Sequence, residues 1–240
     1  MCNQLKVEFF KFRHFWLFYL AMVFMAGVGF SYGYMKLAGM GCDLYDAFRE
    51  NACDTSFMVI LALVSAWFIG SDFSNRTIHH EITLGYNRWS VLMVRELPVF
   101  LSGILLHFIY IISCMIGVGS KTGFSVSMFS MQDFFWCITI MLQLMALQSI
   151  ILFISFLCAN AAAAIAISVC FMVIACNVLR NFLDGTVFTK TVFCFAPNNT
   201  KETLLPTSVV AVMTLAIIMV LTYIVFRKKR LNSRKVKGVR

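Results

Sequence analysis

The sequence has few charged residues for its length. Only 13% of its 240 residues are charged, whereas a soluble domain carries about a quarter. It also lacks the segments of about ten alternating polar and apolar residues that build membrane β-barrels. Its apolar residues, 60% of the chain, are instead grouped in long blocks. These features predict an all-α polytopic membrane protein that forms one domain over residues 1–240.

Six of the apolar blocks are long enough to be membrane spans, which need about 20 residues to cross a ~30 Å hydrocarbon layer. They cover approximately residues 15–35, 55–71, 97–119, 134–157, 162–182 and 207–226. The first block is not followed by the small-x-small site of a cleavable signal peptide. We therefore expect it to remain as the first span.

Basic residues are concentrated in three segments outside these blocks. Of the 20 Lys and Arg residues, three lie in 1–14, three in 72–96 and eight in the tail 227–240, while most acidic residues lie between these segments. Since loops rich in Lys and Arg stay in the cytosol, the pattern predicts six spans with both termini cytoplasmic. Topology accounts for the net charge of +9, so no nucleic-acid partner is expected. The tail also favours anionic membrane lipid.

The N-terminal residues 3–16 have the pattern of an amphipathic helix. Leu5, Phe9, Phe12 and Trp16 recur every three or four residues and so share one stripe. Basic side chains flank this stripe, which is typical of a helix that lies in the membrane interface. A simple anchoring flank of the first span is the alternative.

A polar segment, residues 69–96, separates the second and third spans on the predicted cytoplasmic side. Asn75 can cap the start of a short helix, and Gly85 suits the left-handed residue that ends one. Asn87 can then cap a second helix that continues into the third span. A short rigid helix held between two spans would act as a lever on both, although an ordinary solvated connector has a similar pattern.

Polar side chains within or at the ends of the spans are candidates for a translocation path. They are His107, Gln143, Gln148 and Asn177. An ionisable group at mid-membrane depth is by default a functional hypothesis. The alternatives are a neutral, hydrogen-bonded imidazole for His107 and interhelical hydrogen bonds for the glutamines. Pro98, near the start of the third span, favours a kink there.

Two cysteines in the first outer loop raise the question of a disulfide. Cys42 and Cys53 could close a small loop and stabilise the fold by roughly 3 kcal/mol. The spacing alone does not decide whether they are bonded.

Two segments partly match known catalytic or binding motifs, but neither has all the required residues. His80 and Glu81 begin like a zinc-protease helix, but Leu84 occupies the position of the second histidine ligand. Residues 117–122 do not have the residue order of a phosphate-binding loop. We therefore expect neither catalysis nor a bound cofactor in this chain.

Taken together, these elements resemble the permease subunits of ABC type-2 transporters. The basic amphipathic start, Leu5 to Arg13, is similar to the elbow helix of that family. The segments Asp72-Phe73-Ser74-Asn75-Arg76-Thr77-Ile78 and Gly85-Tyr86-Asn87-Arg88 are similar to its coupling helix, with an acidic residue, a Thr-Ile pair and a Gly-x-x-Arg turn. The run from Asn160 to Ile167, with its four consecutive alanines, is similar to the short link before span five.

The resemblance implies an exporter in the bacterial plasma membrane. Two permease subunits, identical or different, would face each other, and separate cytosolic ATPases, which bind ATP and Mg²⁺, would push on the coupling helix. The cargo would be amphipathic, such as an antimicrobial peptide (bacitracin- or lantibiotic-like), a drug or a lipid. The residues assigned to ATPase coupling are Asp72, Asn75, Arg76, Thr77, Ile78, Glu81, Gly85, Tyr86 and Arg88.

Two other classes of function are compatible with the sequence. One is a membrane-embedded enzyme such as a protease, for which His107 with Gln148 is the only candidate pair. The other is a membrane sensor or assembly subunit that binds an ATPase without moving cargo.

Overall fold

The computed structural model describes residues 2–54, 57–124, 130–175 and 201–228, and these ranges are almost entirely helical. Within them nine α-helices follow in chain order, with a π turn and a 3₁₀ turn (Gly33–Met40) continuing the second. They are α1 (Cys2–Arg13), α2 (Trp16–Tyr32), α3 (Leu44–Ala52), α4 (Met58–Ser74), α5 (Thr77–Thr83), α6 (Arg88–Thr122), α7 (Met131–Cys158), α8 (Ala161–Val173) and α9 (Lys201–Lys228).

Four stretches of the described chain are long and apolar enough to cross a membrane. They are Trp16–Met40, Arg88–Thr122, Met131–Cys158 and Leu204–Lys228. Helices α4 and α5 meet this criterion only as a pair, and a bend of 55° separates them. The all-α class is thus confirmed for the described residues, and four to five of their helices could cross a membrane. Helix α8, also apolar but shorter, begins where the fifth span is predicted.

The bundle is built around α6, the longest helix at 35 residues. Helices α1, α2, α3 and α7 pack against it, while α4 pairs with α8 and α7 with α9. Helix α3 lies at one end of the bundle, where Tyr45 donates a hydrogen bond to Asp133 at the start of α7 (2.8 Å). We call this the α3 end. The opposite end, where α1, α5 and the start of α6 meet, is the α5 end.

Glycines set the closest helix approaches. A Cβ added at Gly33, in the π turn that continues α2, would overlap the Cys114 carbonyl oxygen of α6. One added at Gly117 of α6 would overlap the Phe30 carbonyl oxygen of α2. In α4, a Cβ at Gly70 would lie 2.6 Å from the Cα of Ala161 in α8. Small residues allow this kind of backbone contact in membranes, where apolar surface alone does not drive helices together.

One boundary differs from the sequence prediction. Helix α1 ends at Arg13, and Trp16 opens α2 with 65% of its surface exposed. The chain turns at residues 14–15, so Trp16 does not continue the buried stripe that includes Phe12. Helix α6 begins at Arg88, directly after Asn87, and continues into the apolar block that starts near residue 97, as the sequence predicts. The helix also runs unbroken through Pro98.

The glycine contacts lead to a matched pair of substitutions in α2 and the π turn that continues it. Gly33→Ala should destabilise the protein by about 1–3 kcal/mol, because the added methyl group overpacks the α2–α6 crossing. Gly27→Ala is the control: a Cβ there meets nothing within 4 Å, and alanine has the higher helix propensity. Thermal unfolding in detergent should therefore show a lower midpoint for the first variant and an unchanged or higher one for the second. Equal effects would contradict the close crossing.

Candidate functional site

Five charged side chains meet at the α5 end and form what we call the charge hub. Arg95 of α6 lies at its centre and is fully buried, with 0% of its surface exposed. Around it lie Glu8 and Lys11 of α1, Asp72 of α4 and Glu81 of α5. A buried guanidinium loses its hydration and must be compensated by hydrogen-bonded partners. The hub therefore joins the N-terminal helix α1 to α4, α5 and α6, which follow one another in the chain.

The guanidinium of Arg95 uses each of its nitrogens. Its Nε donates to Asp72 Oδ2 at 2.8 Å, and its Nη1 and Nη2 donate to the two carboxylate oxygens of Glu81 at 2.9 Å each. Nη1 also donates to the Val91 carbonyl oxygen at 3.1 Å. The two-point contact with Glu81 fits the planar fork of arginine and fixes the direction of approach as well as the distance. The orientation of α5 relative to α6 follows from this geometry.

Helix α1 joins the hub through a second layer of contacts. The ammonium group of Lys11 lies 3.1 Å from Glu8 and also bonds Asp72 of α4. Glu8 lies 3.6 Å from Arg95 Nη2, farther than the other two carboxylates. The N-terminal helix is therefore tied to α4 and α6 by charge as well as by its apolar face.

The hub holds three carboxylates against two cations, so one negative charge is in excess when all five groups are ionised. Burial raises the pKa of Glu8 above its ordinary value, since the loss of hydration outweighs the attraction of nearby Arg95. Glu8 also has the longest contact with Arg95, at 3.6 Å. It is therefore the hub carboxylate that we expect to bind the balancing proton.

The turn after α5 is encoded locally and faces outward. Gly85 has φ of 86°, and the Gly85 and Tyr86 amides donate to the Ile82 and Glu81 carbonyl oxygens at 3.0 and 3.2 Å. This pair of bonds is the Schellman motif that ends helices at a left-handed residue. Asn87 then caps α6 by accepting from the Trp89 amide at 3.1 Å. The helix–break–helix pattern predicted from Gly85 and Asn87 is confirmed.

The side chains of α5 divide into buried and exposed sets. Ile78 is fully buried and Glu81 is held by Arg95, so the helix is anchored along one side. Beyond it, Leu84 and Tyr86 are 63% and 45% exposed. The segment thus presents an apolar tip on a rigidly fixed base.

The predicted coupling residues have three different structural roles. Asp72, Ile78 and Glu81 point inward and hold the segment, Thr77 is half-buried, and Asn75, Arg76, Gly85 and Tyr86 are exposed. Arg88 does something else: its Nη1 donates to the carbonyl oxygens of Phe226 and Arg227 at 2.6 and 2.8 Å, which satisfies the C-terminal end of α9.

The predicted role of Asn75 as a helix N-cap is wrong. Asn75 is instead the C-cap of α4, where its backbone N–H donates to the Ser71 carbonyl oxygen at 2.8 Å. Helix α4 runs farther than the apolar block, to Ser74, so the start of α5 moves one residue along. The N-cap position falls on Arg76, which adopts left-handed backbone angles (φ 58°, ψ 18°).

The candidate path residues lie within the helix packing. His107 is buried in α6, and its ring stacks on Phe57 with centroids 4.7 Å apart. Gln148 of α7 donates to the Val99 carbonyl oxygen of α6 at 2.7 Å, over the space left by Gly103. Gln148 therefore makes an interhelical hydrogen bond, which was the alternative to a role in a translocation path. Gln143 is buried, and Asn177 lies outside the described residues.

The Cys42–Cys53 disulfide, left open by the sequence, is not formed: both residues are free thiols. Helix α3 stands between them with 9 residues. At a rise of 1.5 Å per residue the helix is roughly 13 Å long, whereas bonded cysteines have Cα atoms less than about 7 Å apart. Both thiols still line one cleft at the α3 end, together with Glu50 and Asp54.

Two hub residues were missed by the sequence analysis. From the sequence, Arg95 is one of the three basic residues of the segment 72–96 that indicate topology, and Glu8 lies in the predicted N-terminal helix without an assigned role. Glu8 gave a usable signal, because an acid three residues after Leu5 and four before Phe12 falls on the apolar face of α1. The sequence also holds a signal for the α2–α6 crossing: Gly29 and Gly33 have the Gly-x-x-x-Gly spacing of close membrane-helix contacts.

No protein-family model matches this chain, and no curated protein matches it. The interpretation of the α5 end therefore depends on its geometry.

The hub predicts a large loss of stability when its centre is removed. Arg95→Met should destabilise the protein by about 3–5 kcal/mol, because it leaves buried carboxylates without their partner. Arg13→Met, which removes an exposed charge from α1, is the control and should change stability by less than about 0.5 kcal/mol. Chemical or thermal unfolding in detergent measures both. A small effect at Arg95 would mean that the hub does not hold the α5 end together.

The raised pKa of Glu8 predicts a pH dependence of a definite sign. A carboxyl whose pKa is higher in the folded state adds stability below its ordinary pKa, 4.5, and loses that contribution as pH rises through the raised folded value. Glu8→Gln should flatten this part of the curve of unfolding free energy against pH. Glu50→Gln, at the exposed α3 end, should leave it unchanged. An unaltered curve for Glu8→Gln would contradict the shift.

Proposed function

We propose that the chain is the membrane permease subunit of an ATP-driven exporter of the ABC type-2 class, with ATP hydrolysis on separate cytosolic subunits. The observation that supports this most directly is the charge hub. It fixes an exposed helix and turn to three other helices through buried ion pairs.

The hub makes the exposed turn an efficient lever. A force on Leu84 or Tyr86 is carried into α5, whose Glu81 is clamped by Arg95 at two points. From Arg95 it passes to α6 directly and to α4 through Asp72. Ion pairs interact more strongly in a low dielectric than in water, so the connected helix ends would move together. An ordinary solvated connector would need none of these contacts.

The proposed arrangement in the membrane follows the charge distribution. Six spans, with α8 as the start of the fifth, place both termini and the α5 end in the cytosol of a bacterium. Helix α1 is then the elbow helix in the inner interface of the plasma membrane. A second permease subunit completes the pathway, and ATP with Mg²⁺ is bound by the ATPases. An amphipathic cargo, such as an antimicrobial peptide, drug or lipid, suits the apolar surroundings of the spans.

Disruption of the exposed tip should separate the chain from its ATPase without unfolding it. Leu84→Asp and Tyr86→Asp place charge at two apolar contact positions and should abolish co-purification of an ATPase from native membranes. Met40→Asp is the matched control, since Met40 is 67% exposed at the opposite end. Mass spectrometry of every bound chain, with unfolding midpoints for each variant, provides the measurement. An ATPase bound equally by all three variants, or by none including the parent protein, contradicts the proposal.

A sensor that binds an ATPase without transport would pass the same binding test. The chain reconstituted with its ATPase in vesicles should therefore move a labelled amphiphile when ATP is added, and the Tyr86→Asp variant should not. ATPase binding with no ATP-dependent movement of any tested cargo would favour the sensor.

A further inference from the structure

The charges at the α5 end are sorted by sign. Among the described residues at this end, the carboxylates of Glu8, Asp72 and Glu96 are buried, and Glu81 is engaged by Arg95. The exposed charged side chains there are all cationic: Lys6, Arg13, Arg76, Arg227 and Lys228. Burial of the acids thus leaves an outer surface of one sign. A partner that docks on this surface needs negative charge of its own.

Arg76 stands out among these cations because its backbone is strained. Within the described ranges, Arg76 (φ 58°) and Ala159 (φ 50°) are the non-glycine residues with positive φ. A side chain at such a position costs roughly 1–2 kcal/mol relative to the usual helical region. Glycine would remove that strain, yet this position, at the bend between α4 and α5, carries a long cationic side chain.

The side chain of Arg76 is exposed and makes no hydrogen bond or ion pair to any part of the chain that the structure describes. Two other arginines at the α5 end bind within the chain: Arg95 in the hub and Arg88 at the end of α9. Arg76 therefore does not stabilise the fold through its guanidinium. Strain retained without an internal contact points to an external one.

Arg76 and the apolar tip lie at the two ends of α5. Arg76 and Leu84 are the caps that flank this helix, so at 1.5 Å per residue they are about 12 Å apart along its axis. A planar cation at one end and two exposed apolar side chains, Leu84 and Tyr86, at the other form a compact two-point surface. Interface anchors are typically aromatic and arginine side chains of this kind.

We propose that Arg76 is the charged anchor of a protein-docking surface, and that it pairs with a carboxylate in an acidic groove of a cytosolic partner while Leu84 and Tyr86 fill the apolar part. The identity of that partner as the ATPase rests on the proposed function. A lipid surface is the weaker fit, because anionic headgroups attract basic residues by proximity and need no fixed, strained geometry.

The test separates binding from stability at one position. The full chain in nanodiscs is titrated with the ATPase that co-purifies with it, using the parent protein, Arg76→Gly, Arg76→Lys and Arg76→Glu. Ala159→Gly is the control, since it relieves the same kind of strain without removing a charge. We expect both glycine variants to raise the unfolding midpoint, by roughly 2 °C. Arg76→Gly and Arg76→Glu should weaken binding by at least about tenfold, and Ala159→Gly should leave it unchanged.

The acidic groove is tested separately with Arg76→Lys. This variant keeps the charge and should retain most of the binding, and a carbodiimide should couple its amine to an aspartate or glutamate of the partner. Cross-linked peptides that contain position 76 and a partner carboxylate support the proposal. Unchanged binding by Arg76→Glu, or cross-links only within this chain, overturn it.

Two further outcomes identify where a failure lies. If the Arg76 variants differ in binding to vesicles of phosphatidylglycerol but not to the ATPase, the surface recognises lipid and the inference is wrong, while the proposed function stands. If no ATPase co-purifies with the parent chain, the proposed function fails. In that case the carbodiimide experiment on native membranes still decides whether position 76 meets an acidic protein: no such cross-link overturns the inference too.

Discussion

The guanidinium of Arg95 is the interaction on which the α5 end depends. It has lost all contact with water, so it is stable only where carboxylates replace its hydration shell. Asp72 and Glu81 do so with three short hydrogen bonds, and each comes from a different helix. The requirement of one buried cation thus fixes the relative positions of α4, α5 and α6. Helix α1 follows through Glu8 and Lys11.

Glycine contacts make this arrangement possible on the membrane side of the hub. In a bilayer, apolar side chains gain little by leaving lipid for one another, so close packing and polar contacts decide which helices meet. Gly33 and Gly117 let α2 and α6 touch through their backbones, and Gly70 does the same for α4 against Ala161 of α8. Helices in such close contact have little freedom to slide past one another, which fixes α2 against α6 and α4 against α8.

The hub also explains the division of the α5 segment into a fixed base and an exposed tip. Glu81 is paired with Arg95 and Ile78 is buried, so both hold the inner side of α5, whereas the turn at Gly85 projects beyond them. The same burial removes negative charge from the outer surface and leaves Arg76 there without an internal partner. Mechanical fixation and surface charge are therefore two results of one arrangement, and both suit a site on which another protein acts.

Local chemistry determined much of this protein from the sequence alone. Four of the six predicted apolar blocks lie in helices that are long and apolar enough to cross a membrane, and the second block meets this criterion only together with α5. The sequence predicts these helices because length and hydrophobicity are properties of each segment by itself. Gly85 and Asn87 gave the break after α5, because a left-handed residue and a side-chain cap are needed wherever such a turn forms. The boundary at Asn75 was misplaced by one residue, since several polar residues in a row can each cap a helix.

Only the tertiary structure decided the partners of Arg95, Glu8 and Arg88. Glu8 and Arg95 lie far apart in the sequence, and an arginine beside a span looks like any topology charge until its neighbours are known. The separation of Cys42 from Cys53 likewise depends on α3 being helical between them. Pairing across helices is set by how whole segments pack, and no single segment carries that information.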